Sequence, residues 1–205
     1  MDKCGTIIIR LRKKAREQSM KEFEKLQEKT LSSEEIFDGK VVHLYRDTVE
    51  LPNGKESIRE VIRHIGAVAI VPITDDGKVV VERQFRYPLN QVITEIPAGK
   101  LDSKEEDRLS AAKRELEEET GYLAKEWIEL GDFVPTVAYC DERITLYLAR
   151  GLYKGVRHLD EDEFLEFYLM DLEDLVKEVM EGKILDGKTQ MAALKAYYYL
   201  NKEKN

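Results

Sequence analysis

Residues 99–122 read GKLDSKEEDRLSAAKRELEEETGY, and a helical period runs through their second half. At about 100° per residue, Leu109, Ala112 and Leu116 fall within about 60° of one another and form a stripe suited to burial. Glu115 and Glu119 stand one turn apart beside that stripe, and Glu118 lies on the far side of Glu115, within reach of the same point. Arg114 is expected to point away from this cluster and Glu117 toward solvent. The spacing predicts a helix over 106–119, closed by Gly121 as its C-cap. Each like-charge pair at i,i+4 costs a few tenths of a kcal/mol, more at the edge of a core where water screens less. A divalent cation removes that repulsion. Mg²⁺ takes hard oxygen ligands at about 2.0–2.1 Å and keeps several waters, so two or three carboxylates suit it. The bland alternative for three consecutive glutamates is a solvated face. Here the acids border the apolar stripe instead of opposing it, and a glycine loop leads from a buried strand into the helix.

Before this stretch, QVITEIP reads as a strand ending at Pro97. GAVAIVPI and VVVERQF flank the turn TDDGK as a hairpin, and KVVHLYRDTVEL and ESIREVIRH flank PNGK, where Asn53-Gly54 is a strong hairpin signal. The first 34 residues are charged, with a helical stretch SMKEFEKLQEKTL whose Met20, Phe23 and Leu26 recur at helical spacing. Downstream, IELGDFV and ERITLYLAR are strands around the loop PTVAYCD. The acidic loop HLDEDE then precedes the strand FLEFYLM. Asp171 is placed to cap the helix LEDLVKEVMEG, and KTQMAALKAYYYL is a final helix. Strands interleaved with three helices predict an α/β or α+β sandwich on a mixed sheet. The expected organisation is an extension over 1–34 with a helix, a small β region over 35–64, and a catalytic domain over 65–205.

Composition narrows the function classes. The chain has 205 residues, 42% of them hydrophobic, and a net charge of −8. That is enough apolar material for a sizeable core, and the acidic balance argues against a nucleic-acid binder with a basic surface. An anionic substrate remains compatible, because a bound cation inverts the local field. The two cysteines, Cys4 and Cys140, make no disulfide framework. No apolar run approaches the ~20 residues of a membrane span, and the N-terminus lacks the order of a signal peptide. The expectation is a cytoplasmic protein with no membrane partner.

The stretch 99–122 resembles the signature of the Nudix hydrolases: glycine, five residues, glutamate, seven residues, then R-E-U-x-E-E-x-G-U, with U bulky and apolar. Gly99, Arg114, Glu115, Leu116, Glu118, Glu119 and Gly121 match by type, with Tyr122 in the last slot. Counting forward from Gly99 selects Glu105 as the early glutamate and counting back from Arg114 selects Glu106; the register of the helix favours Glu106. The resemblance implies a Nudix-type α/β/α sandwich. It also implies hydrolysis of a diphosphate linked to a further group, with Glu115 and Glu119 as metal ligands, Glu118 sharing a second metal, and Mg²⁺ as cofactor, replaceable by Mn²⁺.

Beyond the box, ERQFRYP, EIPAGK, REVIRHIGAVAIVPI and DEDEFLEFY are similar to segments of ADP-ribose pyrophosphatases. That similarity implies ADP-ribose as substrate and the Ala98 carbonyl as a metal ligand. Arg83, Arg86, Glu95 and Arg59 become expected substrate contacts, with Tyr45 a candidate to stack on adenine. The catalytic base is expected from Asp160–Glu163, Glu163 first and Glu161 second. It further implies a homodimer joined through the N-terminal β region. One departure bears on the substrate: Val137 and Ala138 stand where such enzymes carry Pro-Gly, and Tyr139 follows. Dinucleoside polyphosphate hydrolases carry a tyrosine in this neighbourhood. The rival expectations are therefore another nucleoside diphosphate sugar, a dinucleoside polyphosphate, or a non-catalytic module that binds nucleotide metabolites. His43, His64 and His158 show no ligand spacing and read as structural or surface residues; Cys140 reads as a free, unreactive thiol.

Overall fold

The computed structural model describes residues 25–159 and 164–203, and the chain divides into two compact units, Met1–Arg63 and His64–Asn205. In the first unit, β1 (Lys29–Asp38), β2 (His43–Glu50) and β3 (Glu56–Ile62) form an antiparallel sheet in that order. The β2–β3 turn is the predicted one: the Gly54 N–H donates to the Leu51 carbonyl at 2.9 Å, and Gly54 sits at φ 77°, a left-handed value that favours glycine. β1 departs from expectation. It begins at Lys29, so Lys29–Leu31 at the end of the expected helix are strand, and the β region starts before residue 35. Ser32 and Ser33 disfavour helix, and the ladder with β2, interrupted by two irregularities, satisfies the backbone instead.

The second unit is built on β4 (Ala67–Ile73), buried along its whole length. It runs parallel to β9 (Ile144–Lys154), and β8 (Tyr122–Phe133) extends the sheet antiparallel. Alternation along β4 feeds two cores. Val68 and Ile70 pack with Ala111, Ala112 and Leu116 of helix α1 (Arg108–Thr120). Ala69, Val71 and Ile73 pack with Leu175 of α2 (Leu172–Met180) and with the alanines of α3 (Gly187–Glu203). Helices thus cover both faces of a mixed sheet, the α/β/α sandwich that the resemblance implies. No helix among the described residues is long and apolar enough to cross a membrane.

The hairpin after β4 closes only at its turn. β4 and β5 (Lys78–Arg86) pair at Ile73↔Val79 and then diverge. The Ile70 N–H faces that edge, donating to the Pro97 carbonyl at 2.8 Å, so by alternation Pro72 faces it too, with no hydrogen to donate. Two short strands line the resulting gap. β6 (Gln91–Glu95) pairs with β5, and β7 (Ala98–Lys100) pairs with the first residues of β4. β10 (Leu165–Asp171) covers the other edge of β5. Asp171 occupies the N-cap of α2 as predicted, but its carboxylate makes no capping hydrogen bond. Its contribution there is charge at the positive end of the helix dipole.

Candidate active site

Helix α1 carries the glutamates to the open end of this gap. Asp107 starts it by accepting from the Ser110 N–H at 2.8 Å, two residues after the predicted start, and Gly121 ends it at φ 71°. Glu115 and Glu119 are both buried, at 9% and 4% exposure, at the rim of the core formed by Leu116. Glu119 accepts from the Ala98 N–H at 2.9 Å. Along β7, Pro97 and Leu101 direct their backbone groups at β4 and its lead-in, so Ala98 and Lys100 face α1 by alternation. The Lys100 carbonyl accepting from Arg114 at 3.3 Å agrees with this. The Ala98 carbonyl therefore emerges on the glutamate side. Gly99 is needed for close approach: a Cβ built there would lie 2.0–2.2 Å from the Glu115 carboxylate atoms.

Arg114 corrects the sequence expectation. It enters the cluster, donating to Glu115 at 2.7 Å and Glu118 at 3.1 Å, with Glu106 at 3.4 Å. The reason is reach: direction around the helix fixes Cβ, while a long side chain curls its head group back toward the charge. Burial works against the Arg114 charge, but Glu115, Asp102 and Glu106 outweigh it and raise the guanidinium pKa above its ordinary range. Glu106 also accepts from the Asp102 N–H at 2.6 Å, tying the loop to the helix, while Glu105 is exposed. Glu117 is half-buried, not solvated, and accepts from the Val156 N–H at 3.3 Å.

The other wall of the gap is made by β5 and β6. Glu82 and Glu95 are cross-strand partners, each 3% exposed. Arg86 grips Glu95 with both branches, Nε to Oε1 at 2.5 Å and a terminal nitrogen to Oε2 at 2.8 Å. Lys188, at the start of α3, meets the same Oε2. Burial pushes the Glu95 carboxyl up, yet Arg86 and Lys188 outweigh it and hold it below the ordinary glutamate value. A depressed folded-state pKa contributes stability that is complete above the unfolded value, about 4.3, and is lost as pH falls through the folded value. Glu95→Gln is therefore expected to melt below the parent at pH 7, with the gap narrowing as pH falls below the unfolded value. A gap that does not narrow on acidification would refute this.

The remaining predicted residues are dispersed. Arg83, three positions from Arg86, lies on the opposite face of β5, stacked 4.7 Å over the Tyr168 ring. Tyr45 and Arg59 belong to the first unit and are engaged within it: the Tyr45 hydroxyl donates to Glu35 at 2.9 Å, and Arg59 donates to Glu28 at 2.9 and 2.5 Å. Glu161 and Glu163, expected to supply the base, lie outside the described residues. His64 holds a turn, its Nδ1 accepting from the Gly66 N–H at 3.0 Å, and Cys140 is a free thiol. Lys188 and Thr189 were missed, although Asp186 and Thr189 form a cap that the sequence offers.

The donor set fits a hard divalent ion. Two buried carboxylates, a third at Glu118 and the Ala98 carbonyl share one side of the gap, and the Gly99 backbone leaves room only for the Glu115 head group. Among the described residues, no group of three or more acidic, histidine or cysteine side chains is placed closely enough to hold a metal ion by itself. Arg114 supplies the balancing charge between Glu115 and Glu118.

The chain matches the NUDIX domain over residues 63–190 and the nucleoside diphosphate sugar hydrolase N-terminal domain over residues 28–62. It is 48% identical to an ADP-ribose pyrophosphatase of Bacillus subtilis (strain 168), across 82% of this chain and 91% of that one. It is 46% identical to a methanol dehydrogenase activator of Bacillus methanolicus, across 81% and 90%. A solved structure described as an ADP compounds hydrolase superposes with a TM-score of 0.77 at 23% identity, covering 87% of this chain and 97% of the other, and so shares the fold.

Proposed function

This chain belongs to the Nudix hydrolase family, and on that premise we propose that it cleaves the diphosphate of ADP-ribose to AMP and ribose 5-phosphate, in the cytoplasm, with Mg²⁺ and with Mn²⁺ as a substitute. The observation that carries the proposal is the buried Glu115 carboxylate seated against a residue with no side chain, with Glu119 one turn further on.

Glu115, Glu119 and the Ala98 carbonyl would hold the ion, with Glu118 sharing a second. When bound, the ion offsets the charge of the diphosphate and acidifies the attacking water. Arg86 offers a planar fork that matches two phosphate oxygens. Arg83, Arg59 and Tyr45 are assigned to the remainder of the substrate, on the resemblance, and Glu95, near the substrate on the same resemblance, to holding Arg86 in place. The water oxygen bonds to phosphorus as the bridging P–O bond breaks, the electron pair leaving with the departing phosphate. Glu163, with Glu161 second, is assigned to take the proton from that water.

Incubation with ADP-ribose in ¹⁸O water with Mg²⁺ is expected to give AMP and ribose 5-phosphate, the label in one product only. Turnover of other nucleoside diphosphate sugars or of dinucleoside polyphosphates, without ADP-ribose turnover, would move the assignment to the second reading. The Val137-Ala138 departure favours that reading, while the match at residues 28–62 suits ADP-ribose equally, since ADP-ribose is itself a nucleoside diphosphate sugar. Tight ADP-ribose binding with no AMP released over hours would point instead to a non-catalytic module. Homodimerisation is part of the proposal. Leu31, Phe37, Val41 and Ile58 are exposed on the first unit, apolar surface of the kind a second copy covers, and sedimentation velocity reads the state directly.

A further inference from the structure

Helix α3 adds a cation to the arginine wall. Lys188 is nearly buried, 12% of its side chain exposed, and its ammonium group sits between Glu95 Oε2 and Asp186 Oδ2, the latter at 3.1 Å. Its position is fixed on two sides. Asp186 accepts from the Thr189 N–H at 2.9 Å and from the Thr189 hydroxyl at 2.5 Å. That hydroxyl in turn accepts from the Ile96 N–H at 3.0 Å, one residue past Glu95.

Glu95 therefore has two cations of different character. Lys188 is sealed in, while Arg86, whose side chain is 42% exposed, faces the gap. The hydrogen bond from Glu95 first, and then the charges of Glu95, Asp186 and Glu119, raise the Arg86 guanidinium pKa against the opposing effect of burial. An arriving phosphate that recruits Arg86 takes it away from Glu95. A buried carboxylate stripped of its cation is strongly disfavoured, so such a transfer needs a second cation in place.

We infer that Lys188 is a positioning residue: it stays on Glu95 when Arg86 turns to the substrate diphosphate, and so frees Arg86 to change partners. Lys188 is not itself the phosphate ligand, because its ammonium group is enclosed by two carboxylates of its own. The inference rests on reading Arg86 as the phosphate contact.

The test is equilibrium binding of ADP-ribose to the full chain in EDTA, with steady-state kinetics in Mg²⁺ alongside. Lys188→Met is expected to raise Kd and KM about tenfold, equivalent to about 1.4 kcal/mol, because Arg86 becomes the sole cation on Glu95 and resists leaving. Its kcat should change less than twofold. Lys188→Arg should bind within about twofold of the parent. The double variant Glu95→Gln/Lys188→Met should bind more tightly than Lys188→Met, because a neutral residue 95 makes no claim on Arg86. A Lys188→Met protein that binds like the parent, or a double variant no tighter than Lys188→Met, overturns the inference. If Lys188→Met does not fold, Lys188→Gln takes its place, with the same tenfold rise in Kd expected and parental binding overturning the inference. The two layers separate cleanly. Parental binding by Arg86→Ala removes the phosphate assignment itself, while weakened Arg86→Ala beside unaffected Lys188→Met removes only the role of Lys188.

Discussion

Glu119→Gln is expected to lower kcat/KM by about 10³-fold while leaving the fold intact. Glutamine has the same shape and keeps an oxygen to accept from the Ala98 N–H, now held at 2.9 Å. What it loses is the negative charge that a hard divalent ion requires. Glu119 also stands one turn from Glu115, a like-charge i,i+4 pair, so removing its charge relieves repulsion when no ion is present. In EDTA the variant should therefore melt at or above the parental temperature. Added Mg²⁺ should separate the two. An ion that binds only the native state stabilises it by about 2.7 kcal/mol at a hundredfold excess over Kd, and the variant should gain little of this. Thermal melts with and without Mg²⁺, beside initial rates, read both effects. A variant that keeps its rate and its Mg²⁺-dependent rise in Tm would remove Glu119 from the site.

Gly99→Ala carries the second large effect, by a different physical route. The added methyl would lie 2.0 Å from Glu115 Cδ and 2.1–2.2 Å from its oxygens, so the carboxylate must leave its seat. The obstruction is the end of a flexible side chain and not backbone, and the Val68↔Gly99 pairing does not involve it. The fold should therefore survive with a modest fall in Tm. Displacing a ligating oxygen by an ångström or more should lower kcat/KM about 10²-fold. Kinetics paired with a melting curve check this, and an alanine variant with parental activity would show that Glu115 need not sit where it does.

The fold was legible where period and caps spoke together. Leu109, Ala112 and Leu116 announced α1, and Gly121 announced its end. Asn53-Gly54 announced its turn. β1 was not legible, because each of its residues is exposed and no alternation marks it; its order comes from pairing with β2. Within the site, positions of Cβ atoms could be read and destinations of long side chains could not, hence Arg114 and Glu117. Arg83 and Arg86 were named together on the resemblance of one short segment, and a spacing of three places them on opposite faces of any strand. Lys188 lies 93 positions from Glu95, and no local pattern connects residues so far apart.

The early parting of β4 from β5 has a mechanical consequence. One jaw of the cleft, α1 with β7, is bolted to β4; the other is β6 with the Arg86 end of β5. The short span through Ile96 and Pro97 is stitched on one side to Ile70 and on the other to Thr189. A diphosphate gripped by both jaws would act as a rung across a fork, so that the molecule stiffens where the tines are furthest apart while the crotch at Ile73 and Val79 needs no movement.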